Sequence, residues 1–165
     1  MAGKEGKIKD ILIFPASEEE WEPAMELCWK TFLKFEAPVY SEEGVKNFLS
    51  FISGDQLHQM FLNGDYKIWV AKSGGEIIGV GSLRAASHIS LLFVAEEYQH
   101  MGVGRRLVKR MQDSLPRRNG CKLTVNSSPY GEGFYHKLGF MDSDKEQKTD
   151  GIIYTPMVLL ERLQR

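Results

Sequence analysis

The segment that most constrains the fold is a Gly-x-Gly between two stretches of opposite character. Residues 88–94 (HISLLFV) are largely apolar and predict a β-strand. Gly102 and Gly104 follow, and residues 103–115 then repeat apolar side chains at helical spacing. A strand, a glycine turn and a basic helix therefore follow one another along the chain, and the glycines stand at the N-terminus of the helix.

A helix N-terminus with glycines is suited to bind an anion. Its first N–H groups have no helical partner and carry a partial positive charge, and glycine lets a phosphate or pyrophosphate approach closely. A dinucleotide fingerprint needs a third glycine, where this sequence has Leu107, and a carboxylate about 20 positions on, which CKLTVN (121–126) lacks. A P-loop needs Gly-Lys-Ser/Thr, which does not occur. From the glycines alone, a phosphate site and a plain tight turn remain equally open.

The remaining periodicities predict a mixed α/β fold. Strands are expected at 8–14, 66–72, 76–84, 88–94, 122–125, from 139 onward, and 152–160. Helices are expected at 17–36, 41–53, 56–62, 103–115 and 129–138, and Ser17 and Ser41, each followed by glutamates, are expected N-caps. This order predicts a single domain over residues 1–165, with a mixed sheet covered by helices on both faces.

Composition excludes several classes of function. The net charge is −1, which gives no indication of nucleic-acid binding or of an anionic membrane surface. Cys28 and Cys121 have no paired spacing, so a reducing compartment with free thiols is expected. The four histidines show no metal-ligand spacing, and no metal is expected. Neither a signal-peptide core nor a membrane-length apolar stretch is seen, and we expect a cytoplasmic protein.

Two motifs together carry a resemblance to a known family. Gln99 to Gly104 (QHMGVG) fits Gln/Arg-x-x-Gly-x-Gly/Ala, and residues 134–140 (FYHKLGF) follow about thirty positions later. At this separation the pair closely resembles the GCN5-related N-acetyltransferases, the GNAT superfamily. The similarity runs from roughly residue 8 to residue 160 and is strongest over 76–140. Glu96 stands where the family commonly has proline.

The resemblance implies how acetyl-CoA would bind. In this family the sheet splays between its fourth and fifth strands, and the pantetheine arm lies in the gap. The backbone of Leu92, Phe93 and Val94 would pair with it, with Asn126 or Ser128 on the other side of the gap. The stretch between Val125 and Tyr135 is one residue shorter than in the family's commoner form, so the resemblance does not assign the contact to one particular polar side chain there. The pyrophosphate would be bound by the loop that begins at Gln99. Its donors would be the backbone N–H groups of Met101, Gly102, Val103, Gly104, Arg105 and Arg106.

The resemblance also implies two residues for proton transfer. Tyr135 matches the position of the general acid that protonates the departing thiolate; the alternative is an aromatic core residue packed on Phe134 and Phe140. His88 stands six residues before Val94, where the histone-acetylating branch keeps a glutamate. Imidazole, with an ordinary pKa of about 6.5, can accept the amine proton. A surface or capping histidine is the alternative. The backbone N–H of Val94 is a candidate for stabilising the oxyanion.

We therefore expect an acetyl-CoA-dependent N-acetyltransferase in which a primary amine of a small molecule attacks the thioester directly. A protein or peptide acceptor, and a non-catalytic acyl-CoA-binding sensor, are the alternatives. Glu36, Tyr40, Glu42 and Glu43 lie near the expected turn between the first two helices, where a carboxylate would hold a cationic amine or simply cap a solvated helix. A homodimer is left open.

Overall fold

The computed structural model describes residues 10–117 and 122–164, and it confirms a mixed α/β fold. Its helices are α1 (Trp21–Phe35), α2 (Glu42–Ser53), α3 (Asp55–Leu62), α4 (Val103–Asp113) and α5 (Glu132–Leu138). Its strands are β1 (Ile11–Pro15), β2 (Lys67–Ser73), β3 (Glu76–Arg84), β4 (His88–Val94), β5 (Leu123–Ser127), β6 (Met141–Asp142), β7 (Gln147–Thr149) and β8 (Ile152–Leu159). Short 3₁₀ turns at Glu18–Glu20, Ala37–Val39, Glu96–Tyr98 and Pro129–Gly131 connect several of them.

The strands form a sheet in the order β1-β2-β3-β4-β5-β8-β6, with β7 paired to β8. Within the described residues, β4 and β5 are the parallel neighbours, and the other pairs run antiparallel. The sequence did not predict β7. The expected start of the first strand at Ile8 and Lys9, and Cys121, lie outside the described residues.

Local chemistry explains the helix boundaries. Ser17 and Glu20 form a reciprocal capping box before α1, and Ser41 Oγ accepts a hydrogen bond from the Gly44 N–H at the start of α2. The expected helix over 129–138 begins as a 3₁₀ turn because Ser128 caps it and Pro129 follows at its first position. The α4 helix ends at Asp113, two residues earlier than expected.

Two apolar clusters cover the two faces of the sheet. On one face α4 and α5 pack through buried side chains that include Leu107, Met111 and Tyr135. On the other face the side chains of α1, α2 and α3 pack against the same strands, centred on Cys28, Phe32 and Ile52. The predicted arrangement of helices on both faces is thereby confirmed. No helix in the described ranges combines the length and the apolar character that crossing a bilayer requires.

Glycines in β3 set how closely α4 approaches the sheet. A Cβ atom at Gly79 would lie 3.1 Å from Leu107 Cδ1, and one at Gly81 would lie 3.1 Å from Met111 Cε. Both distances are tighter than ordinary contact. A side chain at Gly79 would press on Leu107 and Val103 of α4, whereas at Gly81 the flexible end of Met111 can move aside. The N-terminus of α4 is therefore held directly against the end of β4.

Candidate active site

The seam between β4 and β5 opens soon after it begins. In the described chain, β5 pairs with β4 only where His88 stands opposite Thr124 and Ile89 opposite Val125. The other edge of β4 stays paired with β3 as far as Val94 opposite Gly79. The seam beyond Ile89 thus leaves one edge of β4 without a neighbouring strand, as the predicted splay requires.

Leu92 and Val94 present their backbone groups to this seam. The Ala95 N–H donates to the Ile78 carbonyl on the β3 side, at 2.8 Å. Because backbone groups alternate in direction along an antiparallel strand, Val94 and Leu92 point the opposite way and Phe93 points toward β3. Of the three residues expected to pair with a pantetheine arm, Leu92 and Val94 therefore face the seam. The Phe93 side chain packs on Phe48 instead, with ring centroids 5.8 Å apart.

Gln99 and Tyr130 bridge the wide end of the seam. The Gln99 side-chain amide donates to the Val94 carbonyl at 2.9 Å, and the Tyr130 hydroxyl donates to Gln99 Oε1 at 2.7 Å. The Tyr130 ring also stacks on Phe35, with a centroid separation of 4.9 Å. Gln99 thus connects the end of β4 to the turn that follows β5.

The α4 N-terminus offers backbone donors at the same end of the seam. Gly102 has φ +85°, a left-handed conformation that favours glycine. The Arg106 N–H donates to the Gly102 carbonyl at 3.0 Å, which is the first bond of the helix. The N–H groups of Val103, Gly104 and Arg105 precede that bond, so helical geometry gives them no partner.

The side chains around this turn have structural roles. A Cβ at Gly104 would lie 3.0 Å from the Phe134 ring, so glycine lets α5 pack against the first turn of α4. Arg105 Nη2 donates to the Gln164 carbonyl at 2.7 Å, and Arg106 Nη2 donates to the Ile11 carbonyl at 2.8 Å. Each guanidinium has further donors, so a phosphate contact from either arginine stays a prediction.

Tyr135 projects from α5 into the packed layer beside the end of β5. Its side chain is only 7% exposed, and its ring makes edge contacts with Phe134 and Phe140 at centroid distances of 5.1 Å. In the described part of the chain, nothing hydrogen-bonds its hydroxyl. Burial, and then the charge of Glu36, raise the pKa of this phenol.

Glu36 follows the C-terminal end of α1 and approaches the end of β5 from the opposite face of the sheet to Tyr135. Its Oε1 accepts a hydrogen bond from Ser128 Oγ at 2.9 Å, just past the end of β5. Burial raises the pKa of this carboxyl to about 7, against the opposing effect of the Ser128 hydrogen bond. Among residues 10–117 and 122–164, no cationic side chain forms an ion pair with it.

His88 lies at the opposite, paired end of the seam. Its Nδ1 is 2.8 Å from Thr124 Oγ1, and burial together with the charge of Arg84 lowers its pKa. Ser90, two residues further along β4, lies at a β-bulge and accepts a hydrogen bond from the Tyr66 hydroxyl at 2.9 Å. A catalytic role for His88 stays a prediction.

A polar groove opens on the α1–α2 face, beside β5. It has a volume of about 510 Å³ and is lined by Tyr40, Glu43, Asn47, Asn126, Thr149, Asp150, Ile152 and Tyr154. Asn126, which the resemblance assigned to the pantetheine arm, borders this groove, and Ser128 contacts Glu36. No cationic side chain is among the described residues of its lining.

The β7–β8 hairpin forms the far wall of the groove. Asp150 and Gly151 make its two-residue turn, with φ values of +52° and +81°. A Cβ at Gly151 would clash with Ser41 Oγ, and Asn47 Nδ2 donates to the Asp150 carbonyl at 2.9 Å. The turn therefore packs against the start of α2. An Asp-Gly pair flanked by β-forming residues predicts such a hairpin, and this indication in residues 147–153 was missed.

Comparisons with known proteins agree with this architecture. The family model described as "Acetyltransferase (GNAT) domain" matches residues 36–161. A glucosamine 6-phosphate N-acetyltransferase of Trypanosoma brucei brucei is 30% identical over 95 residues, which cover 51% of this chain and 64% of that protein. The chain spans between 51% and 64% of the length of three curated relatives that it matches.

Solved structures show the same fold. A GCN5-related N-acetyltransferase of Rhodopseudomonas palustris superposes with a TM-score of 0.77 at 22% identity, covering 92% of this chain and 95% of the other. A PaiA N-acetyltransferase of Thermoplasma acidophilum, solved in complex with coenzyme A, superposes with a TM-score of 0.70 at 24% identity. That superposition covers 90% of this chain and 97% of the other.

Proposed function

Because the chain belongs to the GNAT acetyltransferase family, we propose that it transfers the acetyl group of acetyl-CoA to a primary amine of a small molecule. The observation that carries this proposal is the Tyr135 side chain, packed near the end of an open seam with its hydroxyl making no hydrogen bond in the described part of the chain. The seam suits the donor substrate, and the groove beside β5 suits the acceptor.

The residues of the seam fit coenzyme A. The N–H groups of Val103, Gly104 and Arg105 at the first turn of α4 suit the pyrophosphate, and those of Met101 and Gly102 lie next to them. Backbone groups of Leu92 and Val94 suit the amides of a pantetheine arm, which would act as a short extra strand. Acetyl-CoA supplies the acetyl group in the activated form of a thioester.

The acceptor groove favours a small cationic molecule. Its volume of about 510 Å³ lies in the range of small-ligand sites. Glu43 and Asp150 contribute its carboxylates, and its described lining holds no lysine or arginine that would neutralise them. Asn126 borders the groove on β5, directly after Val125, the last described residue of β5 that pairs with β4. An amine entering there would approach the Tyr135 end of the seam.

Tyr135 is suited to give a proton to the departing sulfur. Its raised pKa keeps the phenol protonated at neutral pH, which is the form that a general acid requires. Packing on Phe134 and Phe140 fixes its ring, so its hydroxyl is held in one position. A sensor without turnover would have no use for a proton donor at this place.

The test is a thiol-release screen combined with a binding measurement. Free coenzyme A is expected to raise the Tm of the full chain, and small amines with a second cationic group are expected to release thiol from acetyl-CoA. Peptides with a free N-terminus or lysine form the second panel. If only the peptides are acetylated, the acceptor is a protein or peptide and not a small molecule. Coenzyme A binding without turnover in either panel would favour the sensor, and an absent thermal shift would falsify the cofactor assignment.

A further inference from the structure

We infer that Glu36 accepts the proton that the acceptor amine gives up, and that this step is coupled to proton donation by Tyr135. The inference rests on the proposed function, because it needs an amine acceptor and a thioester donor. It assigns a catalytic role to a residue outside both sequence motifs, for which the sequence alone indicates either an amine-binding carboxylate or a helix cap.

The first argument is position. Glu36 reaches the end of β5 from the α1 face, where Ser128 Oγ donates to it at 2.9 Å. Tyr135 reaches the same end of β5 from the α5 face: a Cβ at Gly131 would lie 3.3 Å from its ring and 3.1 Å from Ser127 Oγ. Both acid groups therefore lie near the end of β5, where the sheet is open, and they interact electrostatically. Tyr40, four residues after Glu36, lines the acceptor groove.

The second argument is the electrostatic environment of the carboxyl. The titratable groups that interact with it are Cys28 on its own helix, Tyr40 on the following turn, and Tyr130 and Tyr135 from beyond β5. All four are neutral at pH 7, and no described cation forms an ion pair with Glu36. Burial therefore raises its pKa to about 7, so the carboxylate is present at neutral pH and binds a proton readily.

The third argument is the coupling to Tyr135. An ionised Glu36 adds to the effect of burial in raising the pKa of the phenol. When Glu36 takes up a proton, that charge disappears and the phenol becomes the stronger acid. Proton uptake from the amine thus makes proton donation to the sulfur easier, at the time when the donation is needed.

The proton and bond changes balance. The neutral amine forms a bond from its nitrogen to the acetyl carbon, and the bond from that carbon to sulfur breaks. One proton leaves the nitrogen for Glu36, and one leaves Tyr135 for the sulfur. A proton then returns from Glu36 to the Tyr135 phenolate, which restores both groups without any other reactant.

His88 is less well placed for this step. It pairs with Thr124, at the closed end of the seam, and Ser128 is four residues further along β5. At the rise of an extended chain this is a separation of about 13 Å. Glu36, in contrast, bonds to Ser128, and its charge adds to burial in raising the pKa of Tyr135.

The kinetic test is Glu36→Gln, which keeps an oxygen to accept from Ser128 while removing the titration. We expect kcat to fall by about 10²–10⁴-fold, with the affinity for coenzyme A unchanged. The wild-type kcat, measured with an acceptor whose own pKa is well below this range and which is therefore neutral throughout, should rise with pH and level off above about 7. That dependence should vanish in Glu36→Gln and persist, at a lower plateau, in Glu36→Asp. Glu26→Gln, the same change on the exposed face of α1, is the matched control and should behave as wild type.

A spectroscopic measurement tests the same carboxyl without turnover. In protein labelled with ¹³C at glutamate carboxyls, the resonance lost in Glu36→Gln should titrate with a midpoint of about 7. Because the Ser128 hydrogen bond lowers this pKa, Ser128→Ala should raise both the spectroscopic and the kinetic midpoint together. A structural role for Glu36 would leave the kinetic midpoint where it was.

The outcomes separate this inference from the proposed function. An active wild type whose pH dependence survives in Glu36→Gln would overturn the role of Glu36 and leave the acetyltransferase activity intact. Loss of the same dependence in His88→Asn, with Glu36→Gln unaffected, would overturn it in favour of the histidine. A wild type that acetylates no amine would overturn both.

Discussion

The two edges of β4 have opposite character. On the β3 side the strand is paired from Arg84 opposite His88 to Gly79 opposite Val94, and the glycines of β3 let α4 pack directly on this ladder. On the β5 side, within the described residues, pairing stops after Ile89. One strand therefore supports the fold through one edge and leaves the other edge available to a ligand.

The side chains next to these edges differ in the same way. Beside the paired edge, Val80, Leu107 and Met111 are completely buried and apolar. Beside the open edge the sequence places Ser128, Tyr135 and Glu36, whose carboxyl has a raised pKa and whose neighbouring phenol has no hydrogen-bond partner in the described chain. The side chains of the first region are fully packed, whereas those of the second leave polar groups without a compensating partner. Such local exceptions to the rules of stable packing are typical of functional sites.

The largest effect is expected at the open edge, from Tyr135→Phe. The ring would keep its contacts with Phe134 and Phe140, so stability and coenzyme A affinity should stay close to wild type. Without the proton donor, kcat should fall by about 10²–10⁴-fold. Steady-state kinetics and calorimetric binding measure the two quantities. An equal loss of affinity would mean that the hydroxyl binds coenzyme A instead of donating a proton.

Glu36→Gln is expected to stabilise the protein at alkaline pH, although it removes a group proposed for catalysis. Because its pKa is raised from 4.5 to about 7, Glu36 favours folding while protonated, and this contribution is lost as the pH rises through about 7. The neutral glutamine should retain it, so at pH 8 the variant should be more stable than wild type by up to about 3 kcal/mol. At pH 4 the two proteins should unfold at the same denaturant concentration. A variant less stable than wild type at pH 8 would place a stabilising ion pair at this carboxyl.

The sequence predicted the parts of the molecule that depend on local chemistry. The bounds of β3 and β4 and the cap at Ser41 follow from periodicity and helix capping. The family resemblance predicted the splay between β4 and β5, and the role of Tyr135 stays a prediction. The Glu36–Ser128 hydrogen bond was not predictable, because it joins residues 92 positions apart across the two faces of a sheet. The side of β5 on which Asn126 lies was unpredictable for a related reason: a shift of one residue in a strand reverses every side chain.

A pair of glycine substitutions separates the two edges further. A Cβ at Gly104 would lie 3.0 Å from the Phe134 ring, which is itself packed on Tyr135, so Gly104→Ala should displace the first turn of α4. We expect about tenfold weaker coenzyme A binding, which corresponds to about 1.4 kcal/mol. Gly81→Ala would instead meet the flexible end of Met111, beside the paired edge. It should cost about 1 kcal/mol of stability and leave the affinity unchanged. Isothermal titration and chemical unfolding of both variants measure this contrast, and equal effects on affinity would contradict it.

The smallest effect is expected at the bridge across the wide end of the seam. In Tyr130→Phe the hydrogen bond to Gln99 would be lost, while the ring could still stack on Phe35. Because an exposed hydrogen bond contributes only about 0.5 kcal/mol, the bridge should open about twofold more readily, and coenzyme A should associate faster by that factor. Stopped-flow fluorescence measures this rate. The dissociation rate distinguishes the alternative. If dissociation becomes faster while association is unchanged, the Tyr130 hydroxyl contacts the bound coenzyme, and the bridge does not control entry to the seam.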